Sequence, residues 1–275
     1  MGLDAYVYCN CLKEGKTTNP PVARELIYVD DNGFLEILYP AGMKEKEKDR
    51  LHYKLREWSR DCCRHQLLHY CSERVGNWSA VSHLQEAVME QASRFPVLAS
   101  IWPSCNGGKV EARLAPQILE ELEGFCLDIG KQKGLFLSDV RTGDDIYSFI
   151  KSNGGVFHFD GRIKRNTGFD QDGLFVVDRE TGQEYFRSKH FTQKPLPEEK
   201  ALRLDGKPYT IQPALLTDIG SGKECRVESL IGGYEEYSEL AVVARHLKED
   251  DFYSIEPLRN LLKASIETGN PVFWT

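Results

Sequence analysis

The hydrophobic pattern of this sequence changes period twice, and that change restricts the possible folds more than any other feature. From residue 43 to about residue 125, apolar residues recur every three or four positions, which is the spacing of one face of a helix. Between residues 130 and 224 the pattern becomes short aromatic and β-branched runs separated by Gly, Asp and Asn, which is typical of β-strands joined by tight turns. Helical spacing returns after residue 234.

The first forty residues predict a small antiparallel sheet. Leu3 to Cys9 alternates apolar and polar positions, as a strand with one buried face requires. A second short strand is predicted over Glu25 to Val29. The residues Asp31-Asn32-Gly33 have the chemistry of a hairpin turn that leads into a third strand, Phe34 to Leu38.

The remaining elements follow from the same two periods. Helices are predicted over Met43 to about Tyr70, from Ser79 onward, over Pro116 to Phe125, over Tyr234 to Leu247 and over Ile255 to Glu267. Hairpins are predicted where Leu174 to Val177 faces Glu184 to Arg187, and where Leu202 to Leu204 faces Tyr209 to Ile211. No repeat of the roughly 20–50 residues that builds solenoids and propellers is expected.

These elements predict an α+β protein with a helical body, a small N-terminal antiparallel sheet and a β-rich insertion. The predicted divisions are residues 1–130 for the N-terminal α+β body and 131–223 for the insertion. Residues 224–275 are predicted as C-terminal helices that pack back on the body.

Composition and charge exclude several classes of protein. The chain has 275 residues, a net charge of −7 and no apolar run near the roughly 18 residues that a membrane span needs. Net charge is −4 over residues 1–130, +2 over 131–223 and −5 over 224–275, so no segment is basic enough for nucleic acid or a membrane surface to be the expected partner. The N-terminus lacks the pattern of a secretory signal, which predicts a cytoplasmic protein with reduced cysteines.

Cysteine and histidine concentrate at two places that a fold can bring together. Cys9 and Cys11 follow the first predicted strand, and a Cys62-Cys63-Arg64-His65 run precedes His69 and Cys71. Thiolate and imidazole are the ligands that zinc prefers. The sequence therefore predicts a metal site formed by four of these side chains, which would tie the N-terminal sheet to the first long helix, and it leaves open which four bind the ion.

Two other interpretations of these residues stay open. The cysteines can be small core residues with the histidines as ordinary polar neighbours, because buried free cysteine is common and the spacing is not a standard zinc signature. Alternatively, Cys9, Cys11 or Cys63 can act as a nucleophile that His65 or His158 activates. The common motifs for phosphate binding, serine hydrolysis and zinc proteolysis are absent from the sequence, which lowers the expectation of an enzyme.

The C-terminal part of the chain mixes carboxylates with tyrosines. Acidic side chains orient a basic partner, and exposed tyrosines supply rigid contact area at an interface. The predicted partner-binding residues are Tyr234, Glu235, Glu236, Tyr237, Glu239, Asp250, Asp251 and Tyr253. The alternative is a solvated helical face.

The segment MGLDAYVYCNCLKEGK, with Cys63-Arg64-His65 and a Gly76-Asn77 turn downstream, resembles a group of bacterial proteins. Those proteins begin with a GLD-x-x-VYC-x-C segment and carry a CxH element. The likeness covers roughly residues 1–125, and small acidic members of the group are similar to immunity proteins of polymorphic toxin systems. Cys9, Cys11, Cys63 and His65 match the shared positions.

The resemblance implies a cytoplasmic immunity protein that neutralises a cognate bacterial toxin by occluding its active site. Its partner would be a protein toxin with a basic surface, and it would need no catalytic residue and no cofactor apart from a structural zinc ion. The alternative is a hydrolase that depends on the Cys/His cluster for a metal or a nucleophile.

Overall fold

The computed structural model describes residues 2–150, 153–160, 165–197, 200–204, 207–233 and 236–275. The α-helices within these ranges are α1 (Glu45–Asp61), α2 (Trp78–Met89), α3 (Pro96–Ser100), α4 (Ala115–Asp128) and α5 (Ile255–Thr268). The strands are β1 (Gly2–Tyr8), β2 (Ile27–Val29), β3 (Leu35–Ile37), β4 (His69–Asn77), β5 (Lys109–Val110), β6 (Lys133–Asp139), β7 (Asp145–Phe149), β8 (Gly155–Asp160), β9 (Arg165–Asp170), β10 (Gly173–Asp178), β11 (Glu184–Ser188), β12 (His190–Pro195), β13 (Lys200–Leu204), β14 (Lys207–Ile211), β15 (Ala214–Asp218), β16 (Glu224–Val227), β17 (Glu239–His246) and β18 (Val272–Trp274).

The prediction of a helical body with a small N-terminal sheet is wrong. The described strands form one six-stranded sheet, two four-stranded sheets and two hairpins, so the protein as a whole is sheet-rich rather than a helical body. Sequence periodicity underestimates such sheets because several of their strands pair with partners far away in the chain. None of the described helices is long and apolar enough to cross a bilayer.

The chain divides into two compact units. One contains residues 1–129 and 248–275, and the other contains residues 130–247. The second unit begins and ends at neighbouring points, because the backbone N–H of Leu247 donates to the carbonyl of Gln132 at 3.0 Å and His246 Nδ1 lies 2.7 Å from the carbonyl oxygen of Gly130. An insertion with adjacent ends leaves the surrounding unit continuous.

The first unit is built on a sheet of strand order β4-β1-β18-β5. The C-terminal strand β18 lies between β1 and β5, with Ala5 opposite Trp274 and Val7 opposite Val272. Trp274 is 2% exposed, so the end of the chain is part of the core. Helix α5 packs against β4 and α4, and it ends where Gly269 takes a left-handed conformation with φ of 67°.

Helix α1 and the β2–β3 hairpin form a smaller layer of the first unit. Leu55 of α1 is fully buried and packs with Ile27 and Ile37 of the hairpin. The helix ends at Asp61 rather than continuing to Tyr70 as predicted, because Cys62 closes it and the chain then turns into strand β4. The predicted strand Leu3 to Cys9 is confirmed as β1, and the hairpin turn at Asp31-Asn32-Gly33 is confirmed between β2 and β3.

The second unit has its core between two sheets. The six-stranded sheet has the order β16-β15-β12-β17-β6-β7, and the four-stranded sheet has the order β11-β10-β9-β8. Leu137 and Phe191 from the first sheet pack with Phe169 and Phe186 from the second. The helix predicted over Tyr234 to Leu247 is wrong, because Glu239–His246 is strand β17 and pairs with both β6 and β12.

Three hairpins of the second unit share one turn, which was not predicted from the sequence. Asp139, Asp178 and Asp218 each end a strand, and each is followed by Ser or Thr and then Gly at the same offset. In each turn the carboxylate accepts a hydrogen bond from the backbone N–H three residues later, at 2.7, 2.8 and 2.6 Å respectively. The aspartates are 39 and 40 residues apart. The sequence pattern of this turn is short, because only the turn residues recur.

Candidate metal centre

Cys9 and Cys11 lie in the loop that follows β1. The backbone N–H of Cys9 donates to the carbonyl of Leu68 at 2.7 Å, and the carbonyl of Cys11 accepts from the N–H of Lys16 at 2.8 Å. Both side chains are buried, at 6% and 7% exposure. The first bond holds Cys9 against the segment that connects α1 to β4, and the second fixes the loop that carries Cys11.

Cys63 and His65 are brought together by the early end of α1. On a continuing helix, two residues this close in sequence would point in different directions. After Cys62 the chain instead turns back, so that the N–H of His65 lies 3.4 Å from Cys63 Sγ and donates to it. The same turn places the imidazole of His65 beside the thiol of Cys63.

The four ligand atoms of Cys9, Cys11, Cys63 and His65 all lie within 4.8 Å of one another. Cys9 Sγ is 3.9 Å from Cys63 Sγ, and His65 Nδ1 is 3.4 Å from Cys11 Sγ and 3.8 Å from Cys63 Sγ. A tetrahedral zinc ion with Zn–S near 2.3 Å and Zn–N near 2.0 Å would require roughly 3.8 Å between two sulfurs and roughly 3.5 Å between sulfur and nitrogen. These three spacings agree with the tetrahedral edges to within a few tenths of an ångström, and the other three edges are no longer than 4.8 Å.

Burial shapes the electrostatics of this group. It raises the pKa of the Cys9 thiol to about 12 and also raises the pKa of Cys11, so both are neutral at pH 7 when no cation is present. Burial, with the charge of Arg64, lowers the pKa of His65 and favours its neutral form. A bound metal ion would instead favour the deprotonated thiols, because cysteine coordinates a metal as the thiolate anion.

The neighbouring cysteines and histidine lie outside this group. Burial raises the pKa of Cys62 to about 12, and its Sγ contacts the carbonyl oxygen of Ser59 at 3.9 Å. Cys71 lies in β4, and His69 stacks on the ring of Tyr6. The fold thus brings the four predicted ligands together and leaves the other two cysteines and the other histidine of this region outside the group.

The backbone beside the group is strained. Leu67 and Leu68 have φ values of 54° and 61°, and they are the non-glycine residues with positive φ in the described ranges. A left-handed conformation costs roughly 1–2 kcal/mol for a residue with a Cβ. Leu68 is held there by packing, since it is 2% exposed and lies in a small core with Cys9, Cys11 and Cys62. No sequence pattern predicts this strain.

One side of the group opens to a pocket of about 500 Å³. The cations Lys16 and Arg64 line this pocket, together with the carboxylates Glu14 and Glu267. Tyr70 donates from its hydroxyl to Glu267 at 2.5 Å. Cys9, Cys11 and His65 all line this pocket, so the group lies at its wall even though the two N-terminal thiols are largely buried.

The predicted partner-binding residues are divided between the two units. Glu236, Tyr237 and Glu239 belong to the insertion, whereas Asp250, Asp251 and Tyr253 belong to the first unit. Tyr234 and Glu235 lie outside the described residues.

Several of these side chains have partners within the chain. Glu239 lies 2.7 Å from His190 Nε2, Asp251 accepts from the N–H of Lys248 at 2.7 Å, and Tyr253 accepts from the N–H of Asn77 at 2.6 Å. His158, the alternative activating histidine, lies in β8 of the insertion, whereas Cys9, Cys11 and Cys63 belong to the first unit.

Comparison with known proteins does not identify a family or a function for this chain. No protein-family model matches the chain, and neither a curated protein nor a solved structure matches it.

Proposed function

We propose that this protein binds one zinc ion through the thiolates of Cys9, Cys11 and Cys63 and through Nδ1 of His65. The observation that supports this proposal is the convergence of the four ligand atoms within 4.8 Å, with three of their six spacings close to the edges of a zinc tetrahedron. Three soft thiolates with one imidazole suit zinc better than they suit magnesium or calcium, which prefer oxygen ligands.

The proposed ion is structural. Four protein ligands fill the tetrahedral shell, whereas a catalytic zinc ion keeps one position for water or substrate. The ligands come from the loop after β1 and from the turn between α1 and β4, so a zinc ion would fasten these elements together. It would also stabilise the strained backbone at Leu67 and Leu68.

Metal analysis of variants tests the zinc proposal. Purified wild-type protein is expected to contain about one zinc ion per chain, and Cys63→Ser and His65→Ala are expected to lose it, because three ligands bind far more weakly than four. Cys105→Ser is the matched control, since Cys105 is an exposed cysteine outside the group, and it should keep the ion.

Two results would contradict the proposal. The first is wild-type protein without zinc after refolding in the presence of the ion. The second is equal zinc content in Cys63→Ser and Cys105→Ser. Circular dichroism of each variant separates loss of the ligand from loss of the fold.

For the whole molecule we propose a binding role without catalysis, as an immunity protein that occludes a basic toxin. The closed ligand shell supports this role over a metal-dependent hydrolase. The raised pKa of Cys9 and Cys11 supports it over a cysteine nucleophile, which requires a lowered thiol pKa. The net charge of −7 suits a basic partner.

The salt dependence of association tests the immunity proposal. With the product of a neighbouring toxin gene as partner, the association rate is expected to fall at least about tenfold from low to high salt, because screening removes electrostatic steering. Stopped-flow fluorescence measures this rate. A rate that is independent of salt, or no complex with that product, would count against the proposal, as would substrate turnover that Cys63→Ser abolishes without unfolding the chain.

A further inference from the structure

A groove of about 700 Å³ lies in the first unit between α1, the β2–β3 hairpin and the ends of β1 and β4. We call it the α1 groove. Pockets of this volume hold small organic ligands in many proteins. The groove contains none of the four proposed zinc ligands, and the predicted site residues do not line it.

The floor of the α1 groove is a rigid aromatic surface. The ring of Tyr6 is nearly parallel to that of His69, with centroids 4.0 Å apart and an angle of 12°, and Tyr8 meets His69 edge-on at 5.4 Å. Both tyrosine hydroxyls donate to the carbonyl of Gly33, at 2.6 and 2.9 Å. These bonds fix the rings before any ligand arrives, which reduces the entropy that binding would cost.

One wall of the groove carries two arginines and a histidine. His52, Arg56 and Arg60 are spaced by four residues along α1, so they share one face of the helix, and all three line the groove. Arg60 pairs with Glu57 at 2.9 Å, and His52 lies 3.6 Å from Glu36 across the groove.

Arg56 differs from its two neighbours on this wall. No carboxylate of the described residues pairs with its guanidinium. An arginine without a carboxylate partner, above an aromatic floor in an acidic protein, is suited to receive an anion from outside the chain.

The mouth of the groove exposes apolar side chains. Phe34 is 58% exposed and Leu67 is 42% exposed, and both line the groove. Large exposed apolar side chains that converge on a concave surface indicate a ligand with an apolar part. An inorganic anion alone would leave these side chains unused, and a neutral aromatic compound would leave Arg56 unused.

We propose that the α1 groove binds a small organic anion that carries a flat aromatic ring. The ring lies against Tyr8, His69 and Phe34, and the acidic group pairs with the guanidinium of Arg56. The site combines a preformed aromatic surface with one arginine that has no carboxylate partner among the described residues and can set orientation, which is a usual composition of a small-molecule site.

Two probes with the same ring and different charge test this site. Titration calorimetry with 1-naphthylacetate and with 1-naphthylacetamide is expected to show tighter binding of the acid. Arg56→Gln is expected to weaken binding of the acid by about tenfold, the loss of one charge-assisted hydrogen bond, and to leave binding of the amide unchanged. Arg50→Gln is the matched control, because Arg50 is an exposed residue of α1 that does not line the groove.

A third variant tests the apolar contact. Phe34→Ala is expected to weaken binding of both probes, since Phe34 contacts the ring rather than the charge. Three results would each overturn the proposal: equal affinity for the acid and the amide, equal losses in Arg56→Gln and Arg50→Gln, and no saturable binding of 1-naphthylacetate to the wild-type protein.

Discussion

His69 shows how burial sets the charge of one side chain. Its ring is covered by the tyrosines of β1, and burial lowers its pKa to about 4, because the charged imidazolium would lose its hydration there. In the unfolded chain the same group titrates near pH 6.5. Between these two values the unfolded state binds a proton that the folded state does not bind.

We therefore expect the free energy of unfolding to decrease as the pH falls from about 6.5 to about 4. Stability decreases in this direction because protonation favours the unfolded state. In His69→Phe, which keeps a ring on Tyr6, this part of the pH dependence should disappear. Urea unfolding of both proteins, loaded with zinc and measured at a series of pH values, tests the expectation, and an identical pH dependence in the two proteins would refute it.

At the same scale, sequence reasoning found all four residues of the candidate metal centre. Chemistry supplied the candidates, because thiol and imidazole are the types that zinc requires, and the resemblance of the N-terminal segment selected these four among them. It could not explain why Cys63 belongs to the group and Cys62 does not, since that depends on α1 ending at Asp61. Arg56 was missed, although its spacing of four from His52 and Arg60 is visible in the sequence.

At the scale of single elements, the three Asp-centred turns show that a short motif can determine backbone conformation. In the turn after β15, Gly222 has φ of 71°, whereas Gly220 has no positive φ. A Cβ at Gly222 would meet no atom within 4 Å, and one at Gly220 would be at ordinary contact distance from Asp218. The two glycines therefore differ in backbone conformation rather than in available space.

Gly222→Ala is expected to lower the free energy of unfolding by about 1 kcal/mol, because alanine is strained at positive φ. Gly220→Ala, in the same turn, should change it by less than about 0.5 kcal/mol. Chemical denaturation of the two variants measures the difference. Equal effects of the two substitutions would show that backbone conformation does not control this turn.

The contrast between turns and strands explains which elements the sequence predicted. The hairpin of β10 and β11 and the hairpin of β2 and β3 were found because their turns are local. Strand β17 was mistaken for a helix, since its pairing with β6 and β12 involves residues about 50 to 110 positions away. The α1 boundary was missed for a similar reason, because packing of Leu68 stabilises the turn that ends the helix region.

For the molecule as a whole, the adjacency of residues 130 and 247 has a direct consequence. The insertion has its own core between two sheets, and its ends are hydrogen-bonded to each other. The first unit likewise has its own sheet, which includes the C-terminal strand β18. Each unit therefore contains what a domain needs to fold alone.

We expect residues 130–247 to fold as a separate protein with a β-rich circular dichroism spectrum and a cooperative thermal transition. The remaining chain, with residues 129 and 248 joined by a short Gly-Ser linker, should fold and bind zinc, because all four ligands lie in it. Chelation should lower the melting temperature of this second fragment and leave the first unchanged. Aggregation of both fragments would show that the units depend on each other.

The sequence by itself determined the identity of the candidate zinc ligands, the existence of a β-rich insertion and the positions of the local turns, since each depends on residue chemistry or on neighbours in the chain. Tertiary structure decided that β18 completes the N-terminal sheet, that α1 ends in time to place His65 beside Cys63, and that aromatic rings and Arg56 share one groove. These features depend on contacts between residues distant in sequence. Such contacts form only when the whole core packs, so the local periodicity of the sequence does not predict them.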